Sequence, residues 1–333
     1  MKMSEIIKLF PYLRPGRCDG TLVRDGSTLR RVMPYLMPGR NSAAVYFTQE
    51  IDVTPTLAYL KRVNGPEKQN QQADAEAALR SVGKTERVTF FHLVLAACVK
   101  TLAQRPQLNR FVSGGGIYQR SAIQISFAVK KAYEDRAALT AVKVGFGPGD
   151  GLDAVVAKVN RVIRVGRGKQ LTAAEKQMNV LGRLPRRVAG AVLRCEELLD
   201  RWNLLSPEII AADPLFTSVF VANVGSLGFE APFHHLYERG TASLFAAIGR
   251  VQQKNTAEGA QPGTRARGGR PAPEGTTASE GATGPGQKAK DTRHQRYGVT
   301  LRFTFDERVA DGYYCARSLE LFERLLRDPT RLE

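Results

Sequence analysis

Few side chains in this sequence can move a proton near neutral pH. The 333 residues contain four histidines, His92, His234, His235 and His294. His234 and His235 are adjacent in P-F-H-H-L-Y-E-R-G-T, between two runs that read as strands. Imidazole is the usual base near neutrality, so this pair can supply one. The alternative is a pair of loop histidines that satisfy backbone groups or a subunit contact. A second group lies in F-D-E-R-V-A-D-G-Y-Y, residues 305–314. There Glu307 and Asp311 span the end of an alternating strand and the start of an amphipathic helix. A carboxylate with its ordinary pKa of about 4.3 is a weak base toward a thiol near 8.5, and burial would strengthen it. The third group is the glycine-bearing turn N-V-G-S-L-G, residues 223–228, which opens on Asn223. His92 lies in an apolar helix and reads as core, whereas His294 lies in a polar stretch. Cys18, Cys98, Cys195 and Cys315 have no metal-like spacing, so they read as reduced thiols and no metal site is expected.

The elements that position these groups follow from periodicity and punctuation. Residues 44–53 read as a strand, and Thr54 is expected to cap a helix over 54–63, with Pro55 at its favoured early position. The polar segment 67–85 reads as helix plus loop. Residues 89–104 are apolar on nearly all sides, which predicts a buried helix stopped by Pro106. Strands are expected at 116–120, 122–131 and 142–146, then helices at 152–165 and 173–202, the latter broken near Pro185. The apolar run 216–222 predicts a strand covered on both faces. Strands at 242–251 and 297–305 flank 254–296, which is too poor in apolar side chains to fold and reads as a disordered insertion in a hairpin. The last helix starts near Gly312 and ends before Pro329, with Ala316, Leu319, Phe322, Leu325 and Leu326 as its apolar stripe. Two similar stretches, F-P-Y-L-R-P-G-R at 10–17 and M-P-Y-L-M-P-G-R at 33–40, read as Pro/Gly turns.

Composition narrows the function classes. Hydrophobic residues make up 43% of the chain, enough for a real core. The N-terminus shows no signal-peptide pattern and no apolar run is long enough to span a bilayer, so a soluble, cytoplasmic protein with no membrane partner is expected. The net charge of +17 admits anionic partners. The basic residues are spread out, most densely at 161–169 and 183–187, and form no nucleic-acid module. They read as a solvated basic surface rather than a nucleic-acid site.

Four blocks, in order over roughly residues 28–332, carry a family likeness. They are L-R-R-V-M-P-Y-L-M-P-G-R leading into V-Y-F-T-Q-E-I-D-V, the buried helix with R-P-Q-L-N-R-F, F-V-A-N-V-G-S-L-G, and D-E-R-V-A-D-G with its helix. The chain resembles the catalytic domain of the dihydrolipoamide acyltransferases of 2-oxoacid dehydrogenase complexes. The resemblance implies an α/β, chloramphenicol acetyltransferase-like two-layer sandwich on a mixed β-sheet. It further implies a homotrimer with a CoA channel and an active site at each subunit interface, where acyl groups pass between CoA and a lipoyl thiol or a hydroxyl. CoA or acyl-CoA is then a substrate, and no tightly bound cofactor is expected. The reading divides the chain into an N-terminal extension, 1–27, and an acyltransferase-like domain, 28–333, interrupted at 254–296. Neither a lipoyl nor a subunit-binding pattern is present, so another chain must supply any lipoyl group.

Two positions depart from the family pattern. Its catalytic histidine, in His-x-x-x-Asp-Gly, aligns with Glu307, while Asp311 and Gly312 are kept. Its oxyanion serine, in Thr-Ile-Ser-Asn-Leu-Gly, aligns with Ala222, while Asn223 and Gly225 are kept. Losing one such donor costs on the order of 10²–10³ in rate. The family aspartate pairs with an arginine near the domain's start, here Arg30 or Arg31. Two readings stay open. In an acyltransferase, Glu307, His235 or His234 is the base, Asn223 and nearby amides hold the oxyanion, and Asp311 orients. The other reading is an inactive trimeric scaffold or regulator of an acyltransferase or 2-oxoacid dehydrogenase system.

Overall fold

The structure is a computed structural model that describes residues 16–65, 87–130, 139–168, 173–254 and 295–333. The strands are β1 (Gly20–Leu22), β2 (Ala44–Asp52), β3 (Arg110–Ser113), β4 (Gly116–Arg120), β5 (Ile123–Lys130), β6 (Leu139–Phe146), β7 (Val219–Asn223), β8 (Leu244–Lys254) and β9 (Arg296–Asp306). The helices are α1 (Thr28–Leu36), α2 (Thr54–Asn64), α3 (Phe90–Gln104), α4 (Leu152–Arg167), α5 (Ala173–Arg183), α6 (Arg186–Arg201), α7 (Pro207–Ala212) and α8 (Gly312–Arg327).

Six strands form one sheet in the order β2-β9-β8-β7-β5-β6, and β1-β4-β3 form a small second sheet. β7 runs parallel to both β5 and β8, and the remaining pairs of the large sheet are antiparallel, so the sheet is mixed as expected. Its register follows the alternation read from the sequence. Val299, Leu301, Phe303 and Phe305 of β9 and Ile123, Ile125, Phe127 and Val129 of β5 all enter the main core. The helical layer covers that face. α3 is apolar all round because it packs between the sheet and its neighbours α2, α4 and α8. Phe303 meets Phe322 of α8 edge-to-face at 5.3 Å, and Phe305 meets Phe47 at 5.4 Å.

The opposite face carries Phe220 of β7 and Phe245 and Ala247 of β8, covered by Ala231 and Leu236 from the loop after β7. The apolar run ending in β7 is therefore covered on both faces, by helices on one side and by a loop on the other. Residues 16–27, assigned to an extension by the sequence, are tied in through β1, which pairs with β4. Lys254 and Arg296 pair across the mouth of the β8–β9 hairpin. The rest of the expected insertion (255–294), residues 1–15 and the 67–85 segment lie outside the described residues.

Three local expectations need correction. Thr54 does not cap α2. Val53 holds the cap position, and the Thr54 hydroxyl accepts the Tyr297 N–H at 2.8 Å, tying the helix to β9 instead. The second Pro/Gly stretch is mostly helix, because α1 runs through Met33, Pro34 and Tyr35 before ending at Leu36. Proline there costs one backbone bond near the C-terminal end, where the helix was about to stop. On α8, Ala316 faces outward, and Cys315 and Ser318 take the inner positions with Leu319 and Phe322, as a 3.6-residue repeat requires.

Candidate functional site

The end of β9 alternates between interior and surface. Asp306 is fully buried and Arg308 is 2% exposed. The two form a bidentate pair at 2.8 and 2.7 Å, and Arg308 also donates to the carbonyls of Met37 and Pro38 at 3.0 and 3.1 Å. Glu307, between them, turns the other way and is half-buried. Its N–H donates to the Ala43 carbonyl at 2.8 Å, and its own carbonyl accepts from the Arg30 guanidinium. Arg30, rather than Arg31, also reaches Asp311, at 3.6 Å. Asp311 caps α8 by accepting the Tyr314 N–H at 2.8 Å, the usual duty of aspartate at that position. Among the described residues nothing hydrogen-bonds the Glu307 carboxylate. Below it, burial first and the Asp311 carboxylate second push the Cys315 thiol up to about 12, which leaves it inert as a nucleophile.

The second group sits where β7 ends. Asn223 Oδ1 accepts the Ser226 N–H at 3.3 Å, and the Ser226 hydroxyl donates to the Asn223 carbonyl at 3.0 Å. Gly225 is required here, because a Cβ would lie 2.3 Å from the Gly249 carbonyl oxygen in the neighbouring bulge of β8. The N–H groups of Val224, Leu227, Gly228 and Phe229 all donate to carbonyls of the turn or of β8. Four of the amides expected to help hold an oxyanion are thus already engaged, because the turn closes into a 3₁₀ coil. Ala222 brings no donor and packs against the aromatic cluster. The Asn223 side-chain NH₂ and the Gly225 N–H are donors of this turn that none of these bonds uses.

These two groups do not meet in one chain. In the register, Asn223 is level with Ile248 and Leu301, whereas Phe305 is level with Leu244 and Val219. Glu307 lies beyond Phe305, so it is separated from Asn223 by more than about 13 Å along the strands and about 10 Å across them. They occupy opposite ends of the sheet.

His234 and His235 lie on the loop-covered face. His234 stacks flat on Phe245, with ring centroids 3.8 Å apart, and its carbonyl accepts the Thr304 hydroxyl at 2.6 Å. That places it over β8 and β9, nearer the Glu307 end of the sheet than the Asn223 end. Its Nδ1 lies 2.6 Å from the His235 carbonyl, and His235 Nδ1 lies 2.8 Å from the Leu236 carbonyl. A carbonyl can only accept, so both Nδ1 atoms carry hydrogen and each neutral ring keeps its lone pair on Nε2. Burial holds the His234 pKa below the ordinary imidazole value. His92 is core, as expected: it closes a reciprocal cap with Thr89 and its Nε2 bonds Asn160 at 3.1 Å. His294 lies outside the described residues. Among those residues no His, Cys, Asp and Glu cluster could hold a metal ion.

Buried arginines are the feature the sequence concealed. Arg17 bridges Asp19 and Asp200 at 2.7 Å each and stacks over Phe111. Burial pulls Arg120 down to about 10 even though Asp19 lies 3.2 Å away. Arg40 is buried, and its guanidinium donates to the carbonyls of Glu238 and Val112. Arg40 and Arg308 line a cleft of about 640 Å³, closed on its outer side by α6 and bordered by Tyr35, Ser113 and Glu238. Neither Glu307 nor Asn223 reaches it. Widely spaced arginines look like a solvated surface in one dimension, and no local signal marks those that turn inward.

The model of the 2-oxoacid dehydrogenases acyltransferase (catalytic domain) family matches residues 27–177. A probable dihydrolipoamide acetyltransferase from Listeria monocytogenes superposes with a TM-score of 0.51 at 13% identity, covering 91% of this chain and 93% of its own. The cubic core of the pyruvate dehydrogenase multienzyme complex gives 0.51 at 13%, covering 93% of each chain. An Azotobacter vinelandii dihydrolipoamide acetyltransferase gives 0.51 at 14%, covering 93% of this chain and 94% of its own. No curated protein matches the chain. The family resemblance therefore holds over residues 27–177, and the α/β fold is that of the acetyltransferase cores. The matched span includes Arg30 and ends before Asn223, His234 and Glu307.

Proposed function

We propose that this chain, with the fold of the acetyltransferase cores and their catalytic-domain pattern over residues 27–177, is an acyltransferase-like protein that assembles its site between copies. The observation that carries the reading is the placement of its two site halves at opposite ends of one sheet. A head-to-tail contact brings the Glu307 end of one copy to the Asn223 turn of the next, and such contacts close into rings. A homotrimer is the ring that the family resemblance favours.

At that junction a base takes the proton from a thiol or hydroxyl acceptor as its sulfur or oxygen attacks the thioester carbonyl of an acyl-CoA. The Asn223 amide steadies the tetrahedral oxyanion, which collapses with cleavage of the C–S bond, and the base returns its proton to the departing CoA sulfur, leaving the CoA thiol and the acylated acceptor. Glu307 is one base. His234 is the other, since its Nε2 lone pair is free and burial keeps the ring neutral. Arg30 and Asp311 orient the Glu307 segment. A second reading, an inactive scaffold or regulator, draws on the missing Ala222 donor and the engaged amides of the turn. Chromatographic assay of CoA release from several acyl-CoAs, with dihydrolipoamide and hydroxyl acceptors, separates the two. Release above background that falls about 10²–10⁴-fold in Glu307→Ala or His234→Gln identifies the base. No release from wild type, with release restored by Glu307→His, favours the scaffold.

A further inference from the structure

The cleft beneath α6 carries positive charge that its own residues leave unmatched. Tyr35, Val112, Leu205 and Phe216 give it apolar walls, and five arginines and four carboxylates also line it. Most of those carboxylates are engaged. Asp200 pairs with Arg17 at 2.7 Å and Glu196 with Arg239 at 2.8 Å. Glu238 accepts the backbone N–H groups of Arg40 and Asn41 at 3.0 and 3.1 Å and the Asn41 side chain at 2.8 Å. Two of the arginines are matched as well, Arg308 by Asp306 and Arg239 by Glu196 and Asp213. Arg40, Arg194 and Arg201 are not: among the described residues, no carboxylate lies within ion-pair distance of their guanidinium groups.

Arg40 decides what the cleft can hold. It is 9% exposed, and its guanidinium donates to the carbonyls of Glu238 and Val112, while its Nε has no acceptor among the described residues. Burial holds its pKa below the ordinary arginine value. Carbonyls satisfy donors but do not neutralise charge, and a buried charge without an opposite one beside it is costly. An oxyanion would do both, and the planar fork of a guanidinium suits the paired oxygens of a carboxylate or phosphate. Arg194 and Arg201, seven residues apart on α6, add two further cations at the roof.

Size and walls narrow the ligand further. At about 640 Å³ the cleft falls in the range of small-molecule sites and exceeds what a bare ion fills. Its apolar walls favour a ligand with an apolar body. The roof can also part to admit one, because no residue of α6 is buried and the helix is held down by the Asp200 and Glu196 ion pairs.

We infer that this cleft binds a small organic oxyanion, a carboxylate or phosphate monoester on an apolar body, with Arg40 at its floor and Arg194 and Arg201 at its roof. This binding does not depend on acyl transfer, since neither Glu307 nor Asn223 lines the cleft.

The test is calorimetric titration of the full-length protein with phenylbutyrate, phenyl phosphate, the neutral phenylbutyramide and inorganic phosphate. Phenylbutyrate or phenyl phosphate should bind saturably, at least about tenfold more tightly than both the amide and inorganic phosphate. Which of the two binds more tightly assigns the head group. Leu193→Trp, which fills the cleft without removing a charge, should abolish binding, with the fold checked by circular dichroism and melting temperature. The double change Arg194→Ala and Arg201→Ala, at two exposed positions, should weaken binding at least about threefold. Arg40→Gln should weaken it more than about tenfold; if that variant fails to fold, the other two decide. Equal affinity for phenylbutyrate and its amide, binding of neither organic oxyanion, or binding that survives Leu193→Trp overturns the proposal. Inorganic phosphate binding as tightly as phenyl phosphate also overturns it, since the apolar walls would then contribute nothing.

Discussion

Arg308 supports the candidate site without touching it. Its bidentate pair with Asp306 and its bonds to Met37 and Pro38 join the end of β9 to the segment after α1, which fixes the backbone on either side of the half-buried Glu307. Arg308→Ala strands the Asp306 carboxylate in the core. A loss of about 3–5 kcal/mol is expected in a denaturant titration, well beyond an exposed arginine change such as Arg317→Ala. His234 gives a pH signature. Burial lowers its folded-state pKa, so its contribution is complete above the unfolded value near 6.5 and is lost as pH falls through the lower folded value. The melting temperature should therefore drop as pH falls below the unfolded value of about 6.5, and drop less in His234→Phe. The thiols should divide in the same way. Cys98 and Cys315, both pushed up to about 12 by burial, should resist a disulfide reagent, while exposed Cys18 and Cys195 react. At this scale Glu307 and Asp311 could be named from the sequence because they lie four residues apart in one motif, and the family likeness narrowed the arginine beside Asp311 to Arg30 or Arg31. The buried arginines were not, because inward and outward arginines have the same local sequence character.

At the scale of elements, the tightest joint is the turn after β7 against the bulge in β8. Gly225 lies so close to the Gly249 backbone that Gly225→Ala must move one strand or the other. A cost of at least about 1–3 kcal/mol in urea unfolding is expected, together with a larger loss of any CoA release than an exposed change such as Ser226→Ala causes. Strand alternation in β5 and β9 and the all-round apolarity of α3 were readable because side-chain period and burial are linked. The failures were at ends and edges. Thr54 gives up the cap because β9 offers its hydroxyl a backbone N–H, a contact between residues 243 apart in sequence. Ala316 and Cys315 exchange roles because a helix's rotation about its axis is set by what it packs on.

At the scale of the molecule, the sheet holds the Asn223 turn and Glu307 too far apart to act on one substrate within a single chain. Sedimentation equilibrium should show a homotrimer. Mixing Glu307→Ala with Asn223→Ala protein should recover part of the activity, since some mixed interfaces then pair two intact halves. The absence of recovery, with both single variants folded and inactive, would place both halves in the same chain's chemistry. By itself the sequence determined the strand and helix periods, the mixed α/β class, the family likeness, and the two departures at Ala222 and Glu307. Those are properties of side-chain type and spacing along one dimension. Only the tertiary structure decided that Arg30 and not Arg31 meets Asp311, that four of the turn amides are already engaged, and that the two site halves lie at opposite ends of the sheet. Strand order and register set those distances, and they arise from contacts between residues far apart in the chain.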